Sequence, residues 1–165
     1  MIPRLLAYGV AATVFLIDRV SKGMINNRVM PWDIYAIIPG FFNIVHTENR
    51  GAVFGWLSGV ESGWRSFLLL GLSLVVSFLA AFALWHPGGD TARGNWFRLG
   101  LALVLGGAAG NLYDRMAHGT VTDFLDFYIG SYHWPAFNVA DSAITIGAAL
   151  LLVDLWLNRR IKGTT

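Results

Sequence analysis

The chain has 165 residues, of which 55% are hydrophobic and 13% charged, and its mean hydropathy is +0.54. A soluble domain carries about 25% charged residues, so this chain lacks the polar surface to cover itself, and a bilayer is the expected solvent. A net charge of +2 with no basic run among stackable aromatics argues against a nucleic-acid partner, and the absence of cysteine excludes disulfides, thiolate catalysis and cysteine-based zinc sites.

A helix needs about 20 apolar residues to cross a hydrocarbon core about 30 Å thick. Residues 5–25 form the first such stretch, apolar to Ile17 and then carrying Asp18, Arg19 and Lys22. Arg4 ahead of an apolar run also fits a cleaved leader, but charges follow rather than a small-residue cleavage site, so a retained span is expected. Asp18 and Lys22 stand four apart on one helical face and can pair. Lys22 can equally snorkel toward water.

Residues 26–65 are rich in β-branched and aromatic residues punctuated by Pro39, Gly40, Gly51 and Gly55, which predicts a few short strands with turns. Trp32, Trp56 and Trp64 suit a membrane–water interface. A second span is expected over 67–85, which carries no charge, and a third over 96–114. In the third, Gly106 to Gly110 form a small-residue stretch that lets a neighbouring helix approach closely. Asn111 and Asp114 share a helical face just beyond it, with Arg115 adjacent and expected to pair with Asp114. Residues 116–138 return the chain to the same membrane surface, and a fourth span is expected over 139–157.

Arg4, Arg93, Arg98, Arg159, Arg160 and Lys162 flank one side of these spans; Arg28, Arg50 and Arg65 flank the other. The excess predicts cytoplasmic termini and outward-facing loops at 26–65 and 116–138. Asp114 closes the third span, Asp141 opens the fourth, and Asp123 lies in the expected loop between them, so three carboxylates gather at the outer surface. Two that come close share a proton, and such a pair can activate water and polarise a carbonyl. Residue chemistry alone does not choose which two form the pair. Asp126 reads as a solvated loop acid, and Asp141 is suited to cap a helix N-terminus. The scattered histidines form no H-E-x-x-H and no G-x-S-x-G is present. The same acids also allow a small transporter or channel subunit with Asp18 and Asp114 on an ion path, or a non-catalytic scaffold in which they are structural.

Five stretches in order narrow this: "FLIDRVSK" at 15–22, "ENRGAVFG" at 48–55, "GGAAGNLYDR" at 106–115, "GTVTDF" at 119–124 and "FNVADSAITIG" at 137–147. Together they resemble signal peptidase II, the bacterial lipoprotein signal peptidase family, over essentially the whole chain. The resemblance implies an inner-membrane aspartic protease that removes the signal peptide of a diacylglyceryl-modified prolipoprotein, cutting before the lipidated cysteine. It implies four transmembrane helices in one domain, an extracytoplasmic β-cradle from 26–65, and a short extracytoplasmic helix between the third and fourth spans. The family's catalytic pair maps onto Asp123 and Asp141, and its supporting and substrate-positioning residues onto Asp18, Lys22, Asn49, Gly51, Asn111, Asp114, Arg115, Asn138 and Ala140. No metal or cofactor is implied; the partners are the precursor and membrane lipid, and a monomer is compatible with this. Thr122 and Val53 stand where the family usually has valine and alanine, and neither exchange is expected to abolish activity.

Overall fold

A computed structural model describes residues 2–51, 62–86 and 94–162; Val53, Gly55, Trp56 and Arg93, named above, lie outside the described residues. The order of elements is helix α1 (Arg4–Arg28), strands β1 (Ile34–Ile38) and β2 (Phe42–Asn49), helices α2 (Ser62–Trp85) and α3 (Asn95–His118), strands β3 (Val121–Ile129) and β4 (Tyr132–His133), and helix α4 (Val139–Lys162).

Helix α3 packs against α1, α2 and α4. Its small residues make that possible. A Cβ added at Gly106 would lie 2.5 Å from the Ala11 carbonyl of α1, and one at Gly107 would collide with the Ala140 carbonyl of α4. Two backbones therefore approach α3 from different sides, as close helix crossings in lipid require.

The burial pattern is inverted relative to a soluble domain. Asp18, Lys22, Asn111, Asp114 and Asn138 are buried, whereas Leu16, Phe67, Phe78, Leu79, Ile146 and Leu152 are exposed on the outside of the helices. That distribution belongs to a chain whose surroundings are apolar. Among the described residues, Ser66–Trp85 and Val139–Asn158 are long and apolar enough to cross a membrane on composition alone. Helices α1 and α3 are comparable in length, but their buried acids, lysine and asparagine and the glycines of α3 lower their hydropathy.

The strands form one antiparallel sheet in the order β1-β2-β3-β4. Here the structure corrects three expectations. No helix lies between α3 and α4; Val121–Ile129 is a strand, and Asp123 sits on it rather than in a loop. The cause is local. Gly119, at φ +73°, ends α3 in the left-handed conformation that glycine tolerates, and its N–H returns 3.1 Å to the Arg115 carbonyl. The β-branched and aromatic run that follows then pairs with β2. The sheet is thus shared between residues 34–49 and 121–133 instead of arising from 26–65 alone.

A bulge in β2 decides which side chains face the site. Ile44 pairs with Leu125 but Thr47 with Asp123, so Val45 and His46 together oppose Phe124. Without the extra residue, Asn43 and Asn49 would meet the same face of β3. With it, Asn43 meets the face carrying Asp126, and Thr47 and Asn49 meet the face carrying Asp123.

Candidate active site

The deepest layer is ionic. Lys22, without exposed surface, places Nζ 2.8 Å from Asp18 Oδ2, 2.7 Å from Asp114 Oδ2 and 3.0 Å from Asn111 Oδ1. It does not snorkel; inside the bundle it donates to Asp18 and Asn111 and forms an ion pair with Asp114. Arg19 pairs with the other oxygen of Asp114 and lies over the Tyr113 ring at 4.3 Å. Asp18 Oδ1 accepts the Ala140 backbone N–H at 2.9 Å, close to the start of α4. Two acids and two bases therefore neutralise one another beneath the sheet. Asp114's partners are Lys22 and Arg19 rather than Arg115, whose guanidinium donates instead to Ser73 Oγ at 3.1 Å and to the Asn111 carbonyl at 3.4 Å.

Three amides stand above this layer, each held in one orientation. Asn111 Oδ1 is taken by Lys22, so its Nδ2 donates to Asp141 Oδ1 at 2.7 Å. Asn49 Oδ1 accepts the N–H of Gly51 at 2.7 Å, which turns Nδ2 onto Asp123 Oδ2 at 2.8 Å; the turn requires φ +100° at Gly51, a conformation glycine adopts without strain. Asn138 caps α4: its Oδ1 accepts the Asp141 N–H at 2.9 Å, while Asp141 Oδ2 faces the Asn138 N–H at 3.3 Å. Its Nδ2 reaches Asp123 Oδ1 at 2.7 Å. A single asparagine thus bridges both carboxylates.

The consequence is electrostatic. Lys22 and Arg19 are committed to Asp18 and Asp114, and Arg115 donates to Ser73 and the Asn111 carbonyl, so Asp123 and Asp141 receive their hydrogen bonds from neutral amides. Burial, followed by the charge of Asp141, pushes the Asp123 carboxyl up to about 7, against the hydrogen bonds from Asn49 and Asn138 and the charge of Lys22. Such a pair holds a proton that an isolated aspartate would release. Both acids, with Arg115, line a cavity of about 920 Å³. Residues 134–137 wall one side of it, and Ile144 and Ile146 of α4 another. Ile146 is also exposed on the outer face of α4, so the cavity reaches the apolar surface of the molecule.

All of the residues singled out in the sequence by resemblance lie in this one network, Gly51 through Asn49 and Ala140 through its backbone N–H. Sequence reasoning missed the second cation of the ionic layer, Arg19; its spacing of three from Lys22 on one helical face was the available signal. It also misread Asp126. That side chain is buried and accepts from Asn43 Nδ2 at 2.9 Å, with His133 Nδ1 at 2.9 and 3.0 Å from its two oxygens. The β2 bulge, invisible in composition, is what brings Asn43 to it. Thr122 directs its hydroxyl away from the pair, to Asn26 Oδ1 of α1 at 3.1 Å. Among the described residues, no group of three or more histidines and acids is arranged to hold a metal ion.

A family model described as signal peptidase (SPase) II matches residues 10–157. The lipoprotein signal peptidase of Solibacter usitatus is 49% identical over 154 residues, covering 93% of this chain and 92% of that protein. That of Maridesulfovibrio salexigens is 42% identical over 152 residues, with 91% and 94% covered. A solved structure described as a bacterial membrane enzyme at 2.3 Å resolution superposes with a TM-score of 0.79 at 29% identity, covering 93% of this chain and 89% of that one.

Proposed function

The chain belongs to the signal peptidase II family and is an aspartic protease, and from that premise we propose that Asp123 and Asp141 are its catalytic pair, acting on diacylglyceryl-modified prolipoproteins at the outer face of a bacterial inner membrane. The observation that carries this reading is that two carboxylates lining one cavity take their hydrogen bonds from neutral amides, while Lys22 and Arg19 are paired with Asp18 and Asp114.

The division of labour follows from the surroundings. Burial and the charge of Asp141 raise the Asp123 carboxyl to about 7, so we assign the pair's shared proton to Asp123 and the role of base to Asp141. A water between them loses a proton to Asp141 as its oxygen attacks the scissile carbonyl, and Asp123 hydrogen-bonds to the developing oxyanion. Collapse of the tetrahedral intermediate returns the proton to the leaving nitrogen, that of the lipid-modified cysteine. Asn138, Asn111 and Asn49 hold the two carboxyls in reach of one water.

All four helices span the bilayer in this reading, with both termini cytoplasmic and the sheet outside. Helices α1 and α3 are tolerated there because their charged groups face inward and are paired. Since the cavity extends to Ile146 on the apolar exterior, the precursor reaches the pair sideways, with its acyl chains still in lipid.

The test is product identification. The purified protein in lipid, given a diacylglyceryl-modified precursor, should yield by mass spectrometry a free signal peptide and a product beginning with the modified cysteine. The unmodified precursor should be cut far more slowly. Equal cleavage of both, or cleavage elsewhere, would overturn the substrate assignment.

A further inference from the structure

We propose that Asp126 and His133 are positioning residues for this site: their contact pins one end of the strap 134–137 that walls the cavity, and so governs how substrate is seated rather than how fast its bond is cut. The inference rests on the reading of the cavity given above.

The strap has two anchors. At its far end, Phe137 donates to the Leu125 carbonyl at 3.1 Å and its own carbonyl accepts from Phe124 and Leu125 at 3.0 and 2.8 Å. Its ring stacks on Phe127 at 5.8 Å. Asn138, which serves both carboxylates, follows immediately. The near end depends on β4, two residues long, and a strand that short cannot hold itself in place by its ladder alone. Side chains supply the difference. His133 Nδ1 meets both oxygens of Asp126, its ring stacks on Tyr128 at 4.8 Å and 5°, and the Trp134 N–H reaches the Phe127 carbonyl at 2.8 Å. Asp126 is itself fixed by Asn43 of β2. A continuous line therefore runs from β2 through β3 and β4 into the cavity wall.

Asp126 faces away from Asp123 along β3 and does not line the cavity. Loosening the near anchor shifts the wall at Trp134 and Pro135, while the Phe137 anchor keeps Asn138 on the catalytic pair. Substrate binding should suffer and turnover should not.

The experiment measures kcat and KM for a diacylglyceryl-modified precursor with wild type, His133→Ala, His133→Asn and the double variant Asp126→Asn/His133→Ala. His133 is half exposed, so its replacement leaves folding intact, as melting curves will check. Expected for His133→Ala is a KM raised roughly tenfold, the size of one hydrogen bond to a charged group, with kcat unchanged. His133→Asn, whose amide stands where Nδ1 stood, should recover most of the loss, and the double variant should be little worse than His133→Ala. Binding of the precursor in an Asp141→Asn background should weaken by the same factor, a readout that stands even if wild type cuts nothing and the catalytic reading fails. An unchanged KM and affinity, a fall confined to kcat, or a lowered melting temperature without the kinetic split would overturn the proposal.

Discussion

A buried ammonium is tolerated only where it is paired and hydrogen-bonded, and Lys22 meets that condition with ion pairs to Asp18 and Asp114 and hydrogen bonds to Asp18 and Asn111. Lys22→Met should leave two buried carboxylates with one cation and free the Asn111 amide to turn away from Asp141. Melting should report a loss of about 3 kcal/mol or more, and the cleavage rate should fall at least about tenfold; a variant as stable and active as wild type would contradict the role. The pair itself sets a pH dependence. Because folding raises the Asp123 carboxyl from 3.8 to about 7, its contribution to stability is complete below pH 3.8 and is lost as pH rises through about 7. Over the same upper limb the protonated catalyst disappears, so cleavage should decline as pH climbs past about 7. Asp141→Asn, by removing the second cause of the shift, should move the Asp123 midpoint downward, which an infrared titration of the carboxyl band can follow. A midpoint unmoved by that substitution would separate the two acids.

Among elements, α3 depends on what it lacks. An alanine at Gly107 would push into the Ala140 backbone, which cannot retreat without moving the start of α4; at Gly110 its tight contact would be with the Asp18 side-chain carboxylate, 2.5 Å away, rather than with backbone. Both substitutions should destabilise by roughly 1–3 kcal/mol, with Gly107→Ala the worse, and melting curves of the two variants will rank them. The "GGAAG" stretch made close packing legible before any coordinates, because small residues at helical spacing serve one main purpose in lipid. The uncharged run of 67–85 was equally legible as α2. Strand β3 was not. "VTDFLDFYI" places acids on both faces, Asp123 toward the cavity and Asp126 toward His133, so the alternation that signals a half-buried strand is absent. The β2 bulge was hidden for a related reason: register depends on pairing with a strand some 80 residues away, which local sequence does not encode.

At the scale of the molecule, polar groups are gathered inside and large apolar side chains cover the outside, so the membrane is part of the fold. The residues of the site were legible as a set only through the order of five short stretches; their wiring was not, since Arg19 and Asp126 each looked like an ordinary charge until a distant partner was seen. Orientation is open to direct test because the chain has no cysteine. A single cysteine introduced at Ile34 on β1 should react with an impermeant thiol reagent in intact cells, and one at Thr165 should not; the reverse pattern would invert the topology. The central claim is that Asp123 and Asp141 together cut a lipid-modified precursor, and a gel-shift assay of that cleavage by wild type, Asp123→Asn and Asp141→Asn, each checked for a normal melting curve, addresses it most directly. Both variants should fold, and each should lose activity by a factor on the order of 10³ or more; near-normal turnover by either one would remove that residue from the catalytic pair.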